Sequence, residues 1–193
     1  MTPEELTADI NRIVSNAENR LGEAMYTIGM ETTAAIRQRV QQTGQTAEGN
    51  LFDPYSVRPM LANCSSMTKD ACQKIAGSKA KRKELKWVTL KRGEKNTRLF
   101  ILPEGYNQFR DLHGRQTGFV DFTFSGRMWG NITVVSSDAE HRSGVAVITA
   151  MDDKEYDKLA GNTRRRGDIL DMNDAEIERA GEVLEEILFK DWE

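Results

Sequence analysis

The sequence predicts an α+β fold in which a long N-terminal helix packs on a small antiparallel sheet and C-terminal helices follow. Three observations carry this. An apolar stripe recurs at three- and four-residue steps from Leu6 to Val40, β-rich runs separated by turns fill the middle, and a capped, striped segment closes the chain.

The opening helix is the clearest element. Thr2 can cap it, Pro3 suits its first turn, and Glu5 stands where a capping box places its carboxylate. Leu6, Ile10, Ile13, Val14, Ala17, Leu21, Ala24, Met25, Ile28, Thr32, Ala35, Ile36 and Val40 then share one face, and Gly44 supplies the stop. At about 1.5 Å per residue such a helix is about 60 Å long, roughly twice the width of a small domain. It is therefore expected to break, with Gly22 and Gly29 as the break points, or to pack on a neighbouring molecule.

Residues 43–84 form a loop-rich excursion within a single domain of residues 1–193. Two glycines mark 43–50 as loop, and Phe52 and Tyr55 anchor its end. A short helix is expected around 68–75, and the run Gly77-Ser78-Lys79-Ala80-Lys81-Arg82-Lys83 is expected to be mobile. Lys86-Trp87-Val88-Thr89-Leu90 and Arg98-Leu99-Phe100-Ile101-Leu102 flank a Gly93 turn and predict a hairpin. Residues 119–124 predict a strand or an extended connection. The segment Ser125-Gly126-Arg127-Met128-Trp129 predicts a structural turn, with Met128 and Trp129 on the core and Arg127 bonded to backbone or carboxylate. A second hairpin pairs Ile132-Thr133-Val134-Val135-Ser136 with Val145-Ala146-Val147-Ile148-Thr149. Two helical turns at 153–159 should end at Gly161-Asn162. Asn173 and Glu176 form a second capping box before the stripe of Ile177, Ala180, Val183, Leu184, Ile187 and Leu188.

Composition narrows the function. Hydrophobic residues make up 38% and charged residues 30% of the 193, with mean hydropathy −0.59 and formal net charge −3. No apolar run approaches the roughly 20 residues of a membrane span, and the acidic N-terminus is unlike a secretory signal, so synthesis in a cytoplasm is expected. Cys64 and Cys72 lack metal-ligand spacing, and the expectation is two free thiols. Charge is unevenly spread: residues 69–98 carry eleven Lys/Arg against three Asp/Glu, and residues 152–193 carry seven against fourteen.

No residue pattern announces catalysis. There is no G-x-S-x-G elbow beside His113 or His141, both expected at the surface, and no P-loop: the run from Gly161 to Gly167 has the wrong spacing. Asp152, Asp153, Asp168 and Asp171 precede predicted helices, where capping explains them. The expectation is no enzyme, no cofactor and no metal. The segment 69–98, with Trp87 as a stacking aromatic, supplies the alternative of a nucleic-acid-binding module. A solvated loop and a lysine-protected strand edge explain it better, because the aromatics do not interleave with the charges.

Phe124-Ser125-Gly126-Arg127-Met128-Trp129-Gly130-Asn131-Ile132-Thr133-Val134 resembles the Ser/Thr-Gly-Arg turn and following strand of neck and tail-completion proteins of tailed bacteriophages. The approach to the last helix is similar too: Leu159-Ala160-Gly161-Asn162, an Arg-rich run, then Ile169-Leu170-Asp171-Met172-Asn173-Asp174-Ala175-Glu176. Here Arg166-Gly167-Asp168-Ile169 replaces the family's Arg-Pro-Phe core. Gly105-Tyr106-Asn107-Gln108-Phe109-Arg110-Asp111-Leu112-His113-Gly114-Arg115-Gln116-Thr117 resembles the approach to that turn in phage virion proteins. The resemblance covers residues 86–190 closely and the opening helix loosely. It implies a virion protein, assembled in the bacterial host cytoplasm, that forms a homo-oligomeric head–tail connector or tail-completion ring. DNA would pass through its channel without sequence-specific binding, beside neck, portal or tail partners, and no membrane would be involved. A ring of identical chains needs two unlike complementary patches. Ile13, Leu21, Phe52, Tyr55, Lys81, Arg82 and Lys83 are the residues expected to supply them.

Overall fold

A computed structural model of the chain describes residues 2–92, 95–123, 125–140 and 143–190. The elements begin with α1 (Pro3–Thr43), β1 (Met60–Ala62), a 3-10 turn (Cys64–Ser66), α2 (Lys69–Ala76) and α3 (Lys79–Glu84). They continue with β2 (Trp87–Arg92), β3 (Lys95–Leu102), α4 (Gly105–Leu112) and α5 (Arg127–Asn131). The chain then forms β4 (Ile132–Glu140), β5 (Ser143–Ala150), α6 (Asp153–Arg166) and α7 (Asp174–Leu188). This is the α+β arrangement expected, with antiparallel sheets between a long first helix and C-terminal helices. The expected Gly93 turn, Phe124 and His141 lie outside the described residues.

Packing divides the chain into two compact units, Met1–Phe52 with Asp121–Glu193, and Asp53–Val120. The sequence reading placed one domain with a loop-rich excursion over 43–84. That stretch holds the short helix expected around 68–75, as α2, together with β1 and α3, which were not expected, and the second unit runs on through both strands of the first hairpin to Val120.

In the first unit α1 starts at the capping box foreseen. The Thr2 hydroxyl accepts from the Glu5 amide, and the Glu5 carboxylate accepts from the Thr2 amide at 2.7 Å. It runs unbroken to Gly44, whose left-handed conformation ends it. The expected breaks at Gly22 and Gly29 do not occur. Each glycine costs about 1 kcal/mol relative to alanine in a helix, yet Gly29 has a packing role. A Cβ there would stand 2.5 Å from Val134 Cγ2 and 3.2 Å from Ala146 Cβ, so its absence seats the helix on the sheet. Gly144 serves the same contact from the other side, under Leu21 and Met25. β4 and β5 pair from Ile132↔Ala150 to Glu140↔Ser143, with a bulge between Val134 and Ser136. Ile132, Val134 and Ala150 are buried, whereas Val135, Val145 and Val147 are exposed.

α6 passes through Gly161, where a stop was expected, and ends at Gly167. Gly161 faces open space, and the carboxylate of Asp152 and the basic last turn (Arg164, Arg165, Arg166) favour the longer helix from both ends. α7 starts at the Asn173/Glu176 capping box and packs along α1.

The second unit is built on an antiparallel sheet of order β1-β3-β2, with Phe100 and Leu102 of the central strand fully buried. β1 and α4 have no counterpart in the sequence reading. The run expected to be mobile is α3, capped by Ser78. Cys64 and Cys72, expected as free thiols, form a disulfide that ties the 3-10 turn to α2, their Cα atoms 5.1 Å apart.

Candidate functional site

Two surfaces carry what function the geometry offers. The first is the leading half of α1. All of its buried residues lie at or beyond Leu21, and among the described residues the preceding stretch 3–20, about 27 Å of helix, is covered only in part. Leu6 and Ile10 are 49% and 51% exposed, and Ile13, Val14 and Ala17 are half-buried. They continue the face that Leu21, Ala24, Ile36 and Val40 bury farther along. An amphipathic face left open on a rigid rod normally marks contact with another molecule. On the same unit, Val135, Val145 and Val147 form a second, unlike apolar patch on the β4–β5 hairpin.

The second surface is a basic basin in the Asp53–Val120 unit. The register pairs Trp87 with Phe100 and Thr89 with Arg98, which sets Arg98 diagonally across from Trp87 on the same sheet face. Its guanidinium carbon sits 4.4 Å from the Trp87 ring centroid, and the ring meets Phe100 edge-on. Trp87 Nε1 donates to the Arg82 carbonyl at 2.8 Å, which fixes α3 against the sheet. Cys64, Ala76, Arg82, Lys83, Trp87 and Arg98 line a cavity of about 440 Å³, with no acidic residue among its described lining.

The residues expected at a subunit interface divide into buried and exposed ones. Phe52 is buried edge-on to Phe122, and Tyr55 is buried beneath the Arg110 guanidinium, 4.1 Å from its ring centroid. Both are core residues of their own units. Leu21 packs at Gly144 and is likewise spent within its own unit. Lys81 Nζ donates to Lys74 O at 2.8 Å and Arg82 Nε donates to Ala76 O at 2.7 Å. These bonds close the carbonyl end of α2, as cations at a helix C-terminus do. Ile13 and Lys83 remain partly or wholly exposed.

The structural turn forms as expected in part. Met128 and Trp129 are buried, and Trp129 Nε1 donates to Asp121 O at 3.0 Å. Gly126 takes φ 77°, which leads the chain into α5, and the Ser125 hydroxyl accepts from the Arg127 amide at 3.4 Å. The Arg127 side chain departs from expectation: it is exposed and bonds to no described residue.

Several of the groups weighed for catalysis have structural duties. His113, expected at the surface, is a brace instead. Its Nε2 accepts from the Thr68 amide at 3.2 Å and its Nδ1 bonds Phe109 O at 2.7 Å, so neither nitrogen is open to a ligand. Asp152 caps α6 through the Glu155 amide at 2.8 Å, and Asp168 and Asp171 each accept a local amide at 3.0 Å. Among the described residues no group of three His, Cys, Asp or Glu could hold a metal ion, and no helix is long and apolar enough to cross a membrane.

The sequence reading missed the strongest polar contact. Arg39 forks onto Glu176 at 2.8 and 3.2 Å and also donates to Gln45 O at 2.8 Å and Asp171 O at 2.7 Å. Glu176 therefore closes the capping box of α7 and anchors that helix to α1. Nearby, Arg179 meets Glu182, Glu186 and Glu31, and its pKa is raised, chiefly by the Glu182 hydrogen bond. No family model matches the chain, and no curated protein or solved structure matches it either.

Proposed function

We propose that this chain is a non-enzymatic structural subunit of a tailed-bacteriophage virion, part of a head–tail connector or tail-completion ring around the DNA channel. The observation that carries the reading is the apolar face at the start of α1, where Leu6 and Ile10 stand 49% and 51% exposed. A rigid helix that buries its later turns within its own unit and leaves its first turns exposed is suited to burying those first turns on a copy of the same chain. The Val135, Val145 and Val147 face is a fitting acceptor, because closing a ring of identical chains takes two unlike patches. The Ser-Gly-Arg-Met turn before β4 and the capped approach to α7 give the reading its phage assignment, by their resemblance to neck proteins. A disulfide such as Cys64–Cys72 is compatible with life in a released particle, since disulfides persist at virion surfaces. Other neck, portal or tail proteins would flank the ring.

Native mass spectrometry of the purified full chain, with negative-stain microscopy, tests assembly. The expected result is one closed oligomer with a central hole. A monomer at every concentration up to about 100 µM, far above a micromolar dissociation constant, would overturn it. Peptides of this chain in purified phage particles would establish the virion assignment, and their absence there would remove it.

A further inference from the structure

We infer that the basin between α3 and the β2–β3 face binds the phosphodiester backbone of nucleic acid, without reading its sequence. Three cations, Arg82, Lys83 and Arg98, meet at one cavity, and among the described residues none of them forms an ion pair with a carboxylate. All three are exposed, so water and salt temper their repulsion, and the positive potential they share at one concavity attracts anions. Their fixation points the same way. Arg82 is tethered through Nε, which leaves its two terminal nitrogens without a described partner, and Arg98 is stacked on Trp87. A guanidinium held flat by an aromatic ring keeps its edge donors available, and such a planar fork matches two phosphate oxygens.

The same geometry favours backbone over base. Trp87 has one face covered by Arg98, an edge against Phe100 and its N–H committed to Arg82 O, so it serves as a platform for the cation. Exposed Lys79, Lys81, Lys86 and Lys91 extend the positive surface beyond the cavity. A repeating polyanion uses such a strip, and an isolated small anion does not. The inference stands on the Asp53–Val120 unit alone and does not depend on ring assembly.

The test is fluorescence anisotropy of the full chain with a labelled duplex of about 20 base pairs, titrated from about 50 to 200 mM salt. Lys83→Gln/Arg98→Gln is compared with Lys69→Gln/Arg115→Gln, which removes the same charge at two exposed side chains that belong neither to the basin nor to that strip. Wild type should bind at low salt. The basin variant should lose about tenfold or more in affinity and about two units of salt slope, one per lost phosphate contact. The outside variant should lose much less. Lys83→Glu alone, at an exposed side chain with no described partner, provides a second reading if the Arg98 change disturbs folding, and it too should weaken binding. The inference fails if wild type does not bind at about 50 mM salt, or if both double variants lose affinity equally. It also fails if a glutamate-rich peptide displaces the duplex at equal charge concentration, which would mark the basin as a seat for an acidic protein.

Discussion

Replacing Arg39 with methionine should reveal how α1 and α7 are joined. The side chain is nearly buried, 10% exposed against 7% for Glu176, and its removal deletes the carboxylate fork and two charged bonds to carbonyls. Breaking a buried pair from one side costs about 3–5 kcal/mol, most of it the penalty of leaving the partner's charge without compensation. Each charge-assisted bond to a carbonyl contributes about 1.5–3 kcal/mol, but Asp171 is exposed and water can replace its donor. A loss of about 4 kcal/mol is the expectation, a large part of the roughly 5–15 kcal/mol of a typical domain.

Urea unfolding followed by far-UV circular dichroism and indole fluorescence measures it. At a denaturant slope of about 2 kcal/mol/M the midpoint should fall by about 2 M. Glu176→Gln keeps an oxygen for the capping box but removes the charge. Arg39→Met/Glu176→Gln should therefore be about 1–3 kcal/mol less destabilised than Arg39→Met alone. Added salt should change little, because the pair is shielded from it. A loss below about 1 kcal/mol, or strict additivity of the two changes, would refute a buried, coupled pair.

Leu6→Ser/Ile10→Ser should weaken self-association about ten- to a hundredfold by sedimentation. Half of each side chain is still to be buried, at about 1.5–3 kcal/mol for full burial, and monomer melting should hardly move. Gly29→Ala should destabilise by about 1–3 kcal/mol because its Cβ would collide with Val134, while Gly161→Ala, in open space within α6, should stabilise by up to about 1 kcal/mol; thermal melts decide both signs. Thiol titration of the unfolded, unreduced chain should find no reactive sulfur, and reduction should cost about 2–3 kcal/mol in urea; two titratable thiols would show the Cys64–Cys72 bond absent.

What was legible in the sequence is what neighbours in the chain decide. Thr2 with Glu5 and Asn173 with Glu176 fix two helix starts within one turn each, and hydrophobic periodicity fixes α1 and both hairpins. What was not legible depends on partners far along the chain. Met60–Ala62 is too short for alternation to mark a strand and exists because β3 offers an edge. The charged run of α3 holds as a helix because Lys81 and Arg82 find the carbonyls of α2 and Trp87 finds the Arg82 carbonyl. Phe52 and Tyr55, taken for contact residues in a loop, find Phe122 and Arg110 only in three dimensions. Arg39 gave no local signal, since its acceptor Glu176 lies 137 residues away. The basin could have been foreseen in part: the hairpin register alone sets Arg98 diagonal to Trp87.

The opposed charges of the sequence now take on a different meaning, and with it a final prediction. The acidic tail segment and the basic middle segment look like two halves of one contact between copies. Yet several acids of α7 are already engaged, Glu176 by Arg39 and Glu182 and Glu186 by Arg179, whereas the described cations of the basic segment meet no carboxylate. Exposed pairs between copies would contribute only about 0.2–1 kcal/mol each and would be screened. Self-association should therefore come from the apolar stripe of α1 and the valine face of the hairpin, and nucleic-acid contact from the basin. Apolar burial is insensitive to moderate salt, while phosphate contacts release counterions and weaken steeply with it. Between about 50 and 200 mM salt the oligomer should persist unchanged while duplex binding falls by about tenfold or more. If the oligomer dissociates in parallel with the duplex, charge pairing between copies is the glue after all, and the division of labour between the two surfaces is wrong.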